Sequence, residues 1–314
     1  MSRRIWHRVR IALLVLVALA ILASIGFYAF VSSNIQTIDA LSGAPDTAGD
    51  TSLIVGSDSR EGSTFTDTVS GARTDTIMVL HQPESGPIAL ISIPRDSYVE
   101  IPGYKKNKIN AAFSFGGPQL LVQTVENLTG LTIDHYVEVG FTGVSEVVDA
   151  LGGVELCYDT TVNDKNSHLK WKKGCHVADG YTALAFSRMR YSDPLGDIGR
   201  TQRQQQLVAA VAGKTLRPAT LMNPFTLVPV TKAGLDAFTV NDGTSPFDLA
   251  RFALTMHAGL GGEAVTGTPP IKNMGFRVTG VGSTVLLDPD TIDEFWRKIA
   301  AGEYEPGAKV GGVG

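Results

Sequence analysis

Five carboxylates and seven guanidinium groups stand in short clusters along this chain. Asp58 lies near Arg60, Arg73 near Asp75 and Arg95 beside Asp96, while the run AFSRMRYSDPLGDIGRTQRQQQ over residues 185–206 holds Arg188, Arg190, Asp193, Asp197, Arg200 and Arg203. Eleven arginines follow residue 10, and seven of them fall in these clusters. A surface that needed only solvated charge would use lysine as freely. A guanidinium is a planar, permanently charged fork that grips phosphate oxygens two at a time. The concentration therefore points to a polyanion such as a phosphate ester. Structural salt bridges to Asp193 and Asp197 are the competing reading.

The elements that must carry these groups can be read from periodicity. TSLIVGSDSR is a short apolar strand that stops near Gly56 and delivers Asp58 and Arg60 beyond its end. RTDTIMVLHQ and PIALISIPRD are two more strands, joined by the turn PESG into an antiparallel hairpin. Arg73 and Asp75 open the first and Arg95 and Asp96 close the second, so all four gather at one edge of a sheet. Extended backbone through FSRMRY would put Arg188 and Arg190 on one face. GRTQRQQQLVAAVAGKTL reads as a helix in which Arg200, Arg203, Gln204, Leu207, Val208 and Val211 share one stripe. Its first turn offers free N–H groups and the positive end of the helix dipole to an anion.

Helices and strands then alternate. PQLLVQTVENLTG and FTGVSEVVDALGG are helices that end on glycine, with the strands HYVEV and VELCYD after them, which makes the class α/β. Helices are predicted over 246–258 and 289–300, with the hairpin-like FRVTGVGSTVLLD between them. The sequon NLT at 127–129 falls inside a predicted helix.

The chain has 314 residues, 43% of them hydrophobic, enough for a sizeable core. A net charge of −4 provides no overall basic field, so no nucleic-acid partner is expected. Residues 11–31, IALLVLVALAILASIGFYAFV, carry no charge and are long enough to cross a bilayer. Arg3, Arg4, Arg8 and Arg10 on one side place residues 1–10 in the cytoplasm and everything after Val31 outside, as a single-pass transmembrane anchor. A cleaved signal peptide is the rival, but its apolar region is shorter and no clear small-residue cleavage site follows. Residues 32–50 read as a linker, 51–213 as the catalytic core and 214–314 as the C-terminal part of the exterior domain. In that compartment Cys157 and Cys175, the only cysteines, can form a disulfide; two unpaired thiols are the alternative.

Six segments carry a resemblance: LIVGSDSR, RTDTIMVLH, ALISIPRDSYVEIPGYKKNKINAAFSFGG, LVQTVENLTGLTIDHYVEV, VVDALGGVEL and ALAFSRMRYSDPLGDIGRTQRQQQLV. In order and with compatible gaps, over about residues 51–213, they resemble the motifs of the LytR-CpsA-Psr family. The resemblance implies a central mixed β-sheet flanked by helices, with an apolar pocket for a lipid. It also implies a phosphotransferase of cell wall biogenesis that moves a glycan phosphate from a polyprenyl-pyrophosphate carrier to peptidoglycan. Position by position, Asp58 and Asp75 would hold Mg²⁺, which takes carboxylate and phosphate oxygens. Arg73, Arg95, Lys108, Arg188, Arg190, Arg200 and Gln204 would hold the pyrophosphate, with Arg60 and Arg203 beside them. Arg73 and Arg95 would act on the reacting phosphate, and Asp193 and Asp197 are candidates for taking the proton, each competing with a role as arginine partner. The chain departs from the family pattern in HVADG and in its cysteine pair, neither of which touches a proposed ligand.

Two other functions fit the same residues. One is a pyrophosphatase that hydrolyses the lipid anhydride, since water and a sugar hydroxyl differ little as nucleophiles. The other is a non-catalytic polyprenyl-phosphate-binding membrane protein. SHLK at 167–170 matches a serine-nucleophile motif whose companion motifs are missing, and the chain has no P-loop, H-E-x-x-H or G-x-S-x-G.

Overall fold

A computed structural model describes residues 3–57, 74–189, 192–193 and 196–313. The long α1 (Arg3–Asn34) leads into β1 (Gln36–Ile38), β2 (Asp50–Ser57), β3 (Thr74–Gln82) and β4 (Ala89–Ser92). The short β5 (Tyr98–Val99) and β6 (Asn107–Lys108) precede α2 (Ile109–Thr129), β7 (His135–Gly140), α3 (Phe141–Ala150) and β8 (Val154–Tyr158). Next come β9 (Val162–Asn163), β10 (Lys170–Trp171), β11 (Gly174–Ala178), α4 (Gly180–Arg188), α5 (Gly196–Thr215), α6 (Pro218–Leu221) and α7 (Pro224–Ala237). Then follow β12 (Phe238–Asn241), α8 (Pro246–Gly259), β13 (Val265–Val278), β14 (Gly282–Leu287), α9 (Ile292–Ala301) and β15 (Lys309–Val313).

Nine strands form one mixed sheet in the order β1-β12-β7-β2-β3-β4-β13-β14, with β15 alongside β13. β2 runs antiparallel to β3 and parallel to β7, and β3 and β4 make the expected hairpin. Strand alternation decides the two faces. Leu53 and Val55, Ile77 and Val79, and Ala89 and Ile91 point to the side covered by α2 and α9, where Leu121, Val125, Phe295 and Trp296 are buried. Ile54, Leu80 and Leu90 point the other way, against Phe252, Met256 and Leu260 in and after α8. Helices thus cover both faces, the architecture the resemblance implied. A second apolar cluster joins α3, α4, α5 and α7 to the β8–β11 ribbon through Val148, Leu156, Phe186, Leu207 and Val230.

Several segments differ from the sequence expectation. The stretch 32–50, read as a linker, contributes β1, which pairs with β12, and it buries Ala40 in the main core. The helix read from Pro118 starts earlier, at Ile109, and is broken at Gly116 and Gly117, where φ reaches 68° at the second glycine. Pro118 then restarts it, because its fixed φ suits a first turn that needs no N–H. Residues 180–188 are helical, so the extended reading of FSRMRY fails at Arg188. Met189 N–H still donates to Ala185 O, and the backbone opens only at Met189 (φ −57°, ψ 131°). Strands β12 to β15 belong to the same sheet as the core strands, so the C-terminal part completes the sheet.

The apolar span Trp6–Asn34 has a mean hydropathy of 2.7 and is long enough to cross a membrane. Near its C-terminal end Val31 is buried, where α1 packs on α7 and α8.

Candidate functional site

One edge of the sheet collects the ends that the sequence pointed to. Ser57 pairs with Thr74 and also with Gly140, and Met78 pairs with Ser92. The ends of β2 and β7 and the start of β3 therefore lie together, while β4 ends opposite Met78, four residues further into β3. The backbone of Asp75 is the second residue of β3. Its side chain lies outside the described residues, as do Asp58, Arg60 and Arg73.

Beyond β4 the chain turns within a few residues into β5 and α2. Ile93 N–H donates to Ile77 O and Ser97 N–H to Pro94 O, and the first N–H groups of α2, on Ile109 and Asn110, donate to Ser97 O and Arg95 O. The turn is fixed at both ends. It holds the Asp96 carboxylate between two cations, with Lys108 Nζ 2.8 Å from one oxygen and Arg95 Nε 3.7 Å from the other. Lys108 reaches this place because β6 pairs with β5, Tyr98 opposite Lys108. All three side chains are partly open to solvent. Such a partly open cluster with an excess of positive charge can accept a second anion.

The arginine-rich stretch is built differently. Arg203 is buried between α4 and α5: Nε donates to Phe186 O at 3.0 Å, Nη2 donates to Met189 O, and Nη1 pairs with Asp193. Its guanidinium also faces the rings of Tyr158 and Phe186, at 5.6 Å and 6.0 Å. The carbonyls it satisfies belong to the last turn of α4 and the residue after it, which have no partner within the helix. Burial, then the nearby Asp193 charge, push the Tyr158 phenol up. Asp193 thus serves as arginine partner, the competing role read for it from sequence. Arg188 closes α4, while Arg200 and Gln204, half-buried, stand one turn apart on α5. Arg190 and the Asp197 side chain lie outside the described residues. The structure therefore brings together Arg95, Asp96 and Lys108 in one group and Arg203 and Asp193 in another, with Arg188 and Arg200 on the two helices that the second group joins.

The segment before this stretch is tied to it by a residue the sequence did not flag. Asp164 is buried; Oδ1 accepts from the N–H groups of Asn166 and Ser167, and Oδ2 from that of Ser192. Burial pushes this carboxyl up, yet those bonds outweigh it and hold it below the ordinary carboxylate value. Cys157 and Cys175, opposite each other on β8 and β11, form a disulfide that closes the same lobe. A loop of this size is stabilised by about 3 kcal/mol on the chain-entropy account.

Glu138 is a second residue missed from sequence. It sits on β7 beside Val55, two residues before the strand ends, and its Oε2 accepts from the buried Tyr136 hydroxyl at 2.9 Å. Burial first, then Glu138, push the Tyr136 phenol far above its usual range. The signal was present in HYVEV, where period-two alternation puts a carboxylate on the same face as a buried tyrosine.

For Mg²⁺ the donor chemistry fits. Asp58 follows Ser57 directly and Asp75 follows Thr74, and Ser57 and Thr74 are paired across adjacent strands. The Thr74 hydroxyl, between Arg73 and Asp75 in the chain, is buried and has no hydrogen-bond partner among the described residues. Hard oxygens in that pattern suit Mg²⁺ better than a softer ion.

Known proteins resemble the chain in both sequence and fold. A probable cell wall biosynthesis protein of Corynebacterium glutamicum, LcpB, is 44% identical over 251 residues, 77% of this chain and 59% of that protein. The polyisoprenyl-teichoic acid–peptidoglycan teichoic acid transferase TagU of Enterococcus faecalis is 39% identical over 150 residues, 47% of this chain and 49% of TagU. The chain thus spans from about half to three fifths of the length of these relatives. In fold it matches a LytR-Csp2A-Psr enzyme from Actinomyces oris with a TM-score of 0.63 at 22% identity, covering 87% of this chain and 98% of that one. The family model described as the LytR_cpsA_psr family matches residues 32–258. With sequence, fold and motif order in agreement over most of its length, the chain belongs to the LytR-CpsA-Psr family.

Proposed function

We propose that this protein is an extracytoplasmic, Mg²⁺-dependent phosphotransferase that moves a glycan phosphate from a polyprenyl-pyrophosphate carrier to peptidoglycan. The observation that carries the reading is the pair of cations, Arg95 and Lys108, held around Asp96 in the turn that follows β4. Support comes also from the relatives, one named for transferring teichoic acid to peptidoglycan.

In this reading Arg95 and Lys108 bind oxygens of the anhydride and withdraw charge from it. Arg188, Arg200 and Gln204 orient the other phosphate, with Arg73 and Arg190 supplied by neighbouring segments. A hydroxyl of the acceptor attacks the phosphorus next to the sugar. A new P–O bond forms, the anhydride bond breaks, polyprenyl phosphate leaves, and the hydroxyl proton passes to a nearby base or to solvent. Mg²⁺ bound by Asp58 and Asp75 would supply further charge neutralisation to the phosphates. Arg203 and Asp193 shape the site without touching the substrate.

The test is the purified full chain in a lipid nanodisc, given lipid-linked glycan and peptidoglycan fragments with and without Mg²⁺. A coupled glycan–peptidoglycan product that needs Mg²⁺ and disappears with Asp75→Ala is expected. Free glycan phosphate without coupled product would assign a pyrophosphatase instead, and tight binding with no turnover a lipid-binding protein.

A further inference from the structure

Around the C-terminal end of α1 the folded domain carries large apolar side chains on its outside. Met222 is 83% exposed, Phe225 89% and Phe247 73%, with Leu221, Val228 and Leu254 also exposed in the same helices. Single exposed apolar residues are ordinary, but a cluster of this kind marks a surface that something else covers. α7 follows α6 through the two-residue Met222–Asn223 corner and buries Val230, Leu235 and Ala237 on its inner side. Its apolar outer residues are therefore not needed by the core.

Three observations say what covers them. The patch is continuous with α1: that helix packs on both α7 and α8, and the Tyr28 ring lies 5.5 Å from the Phe247 ring. The same end of α1 holds Phe27, Tyr28 and Phe30, aromatic residues of the kind that sit at the boundary between acyl chains and headgroups. The segment 214–232, KTLRPATLMNPFTLVPVTK, has Lys214, Arg217 and Lys232 and no acidic residue, so its charge suits anionic headgroups. Apolar side chains with cationic neighbours on short helices are the signature of interfacial attachment.

We propose that Leu221, Met222, Phe225 and Phe247 rest in the headgroup–acyl boundary of the outer leaflet, making α6–α7 and the start of α8 a second membrane contact beside α1. This rests on the reading of α1 as a span with the folded domain outside. One span alone leaves a domain free to swing about its linker. With β1 and Val31 packed and α6–α7 seated, the domain lies against the surface on which a lipid-borne substrate travels.

The experiment places single cysteines in the full chain in nanodiscs of mixed neutral and anionic phospholipid. Both native cysteines are in the disulfide, so each introduced thiol is the only one free to react. Phe225→Cys and Phe247→Cys are labelled with an environment-sensitive fluorophore and exposed to lipids bearing a nitroxide near the headgroup. Leu16→Cys within α1 and Lys309→Cys, on the far side of the sheet, serve as references. Blue-shifted emission and loss of most of the signal at 225 and 247, with none lost at 309, is expected. Water-like, unquenched emission at 225 and 247 while position 16 is quenched by a deep nitroxide would overturn the surface and leave the span intact. No quenching at 16 would overturn the span and the surface together. Blue-shifted but unquenched probes at 225 and 247 would assign the patch to protein and overturn the bilayer as its occupant.

Discussion

Arg203 and Asp193 meet in a shell where each side chain is only 4% exposed, and the pair closes the joint between α4 and α5. The guanidinium also satisfies two backbone carbonyls, so its removal takes the cation from a buried carboxylate and leaves both carbonyls without that donor. Breaking a buried pair from one side costs about 3–5 kcal/mol. Arg203→Ala and Asp193→Ala are each expected to destabilise by about that much, and Arg203→Lys nearly as much, since one ammonium cannot reach three acceptors in a fixed plane. Denaturant unfolding measures it; a loss under about 1 kcal/mol would mean that the pair does not secure the joint.

Gly199 lies on α5 directly under the Asp193 carboxylate, which a Cβ there would strike. Alanine in place of glycine normally favours a helix by about 1 kcal/mol. Here the carboxylate is held by Arg203 and cannot move aside, and overpacking costs about 1–3 kcal/mol. Gly199→Ala is therefore expected to lower the melting temperature, where an unconstrained helix position would raise it.

Arg200 gives a sharper separation between binding and stability. It is half-buried on α5 beside Gln204. If it grips a pyrophosphate, Arg200→Lys loses the two-pronged contact and should weaken binding almost as much as Arg200→Ala, roughly tenfold or more for a charge-assisted bidentate bond. Melting temperature should change little. Affinity for a polyprenyl-pyrophosphate analogue, measured beside thermal unfolding, decides; full affinity in the Lys variant would make Arg200 a point charge or a structural residue.

A pH dependence arises where β2 and β7 begin. His135 Nε2 lies 3.6 Å from Asp50 Oδ2, which Arg251 also approaches at 2.7 Å. The Asp50 hydrogen bond, against some burial, raises the His135 imidazole above its ordinary 6.5, and the same bond holds the Asp50 carboxyl low. Between 6.5 and the raised value the folded chain binds more protons than the unfolded one, so stability is full below pH 6.5 and falls as pH rises through that window. His135→Gln should melt lower than the native chain below pH 6.5, and the difference should shrink toward pH 9. A difference that does not vary with pH would remove the pair from the stability of this corner.

The hairpin over 74–92, the strand before it and the helices at 246 and 292 were legible because each shows one clean period bounded by Gly or Pro. The joint at Arg203 was not. Sequence spacing puts Arg200, Arg203 and Gln204 on one stripe, and only packing shows that Arg203 alone turns inward against α4. FSRMRY looks like a strand because its β-compatible residues alternate, yet Ala183, Ala185 and Phe186 are claimed by the second core and α4 continues to Arg188. β1, β12 and β15 are short strands at the sheet margins, set by distant partners rather than by local pattern. Glu138 showed in the sequence only as the period-two neighbour of Tyr136, and its meaning depends on the burial of that tyrosine, which distant partners decide.

β4 receives its second neighbour only from far along the chain: Ala89 pairs with Val265 and Ile91 with Gly267. A ribosome delivers residues from the N-terminus, so β2, β3 and β4 can pair while β13 does not yet exist. During that interval the outer rim of β4 presents unpaired N–H and C=O groups on a strand carrying Leu90 and Ile91, an invitation to intermolecular pairing. Completion of the rim waits for almost the whole polypeptide, which makes assembly slow by its topology. A nascent chain of this kind depends on that strand being kept apart from its own copies, and a message truncated before residue 265 would yield protein prone to aggregate even with every arginine of the 185–206 stretch present.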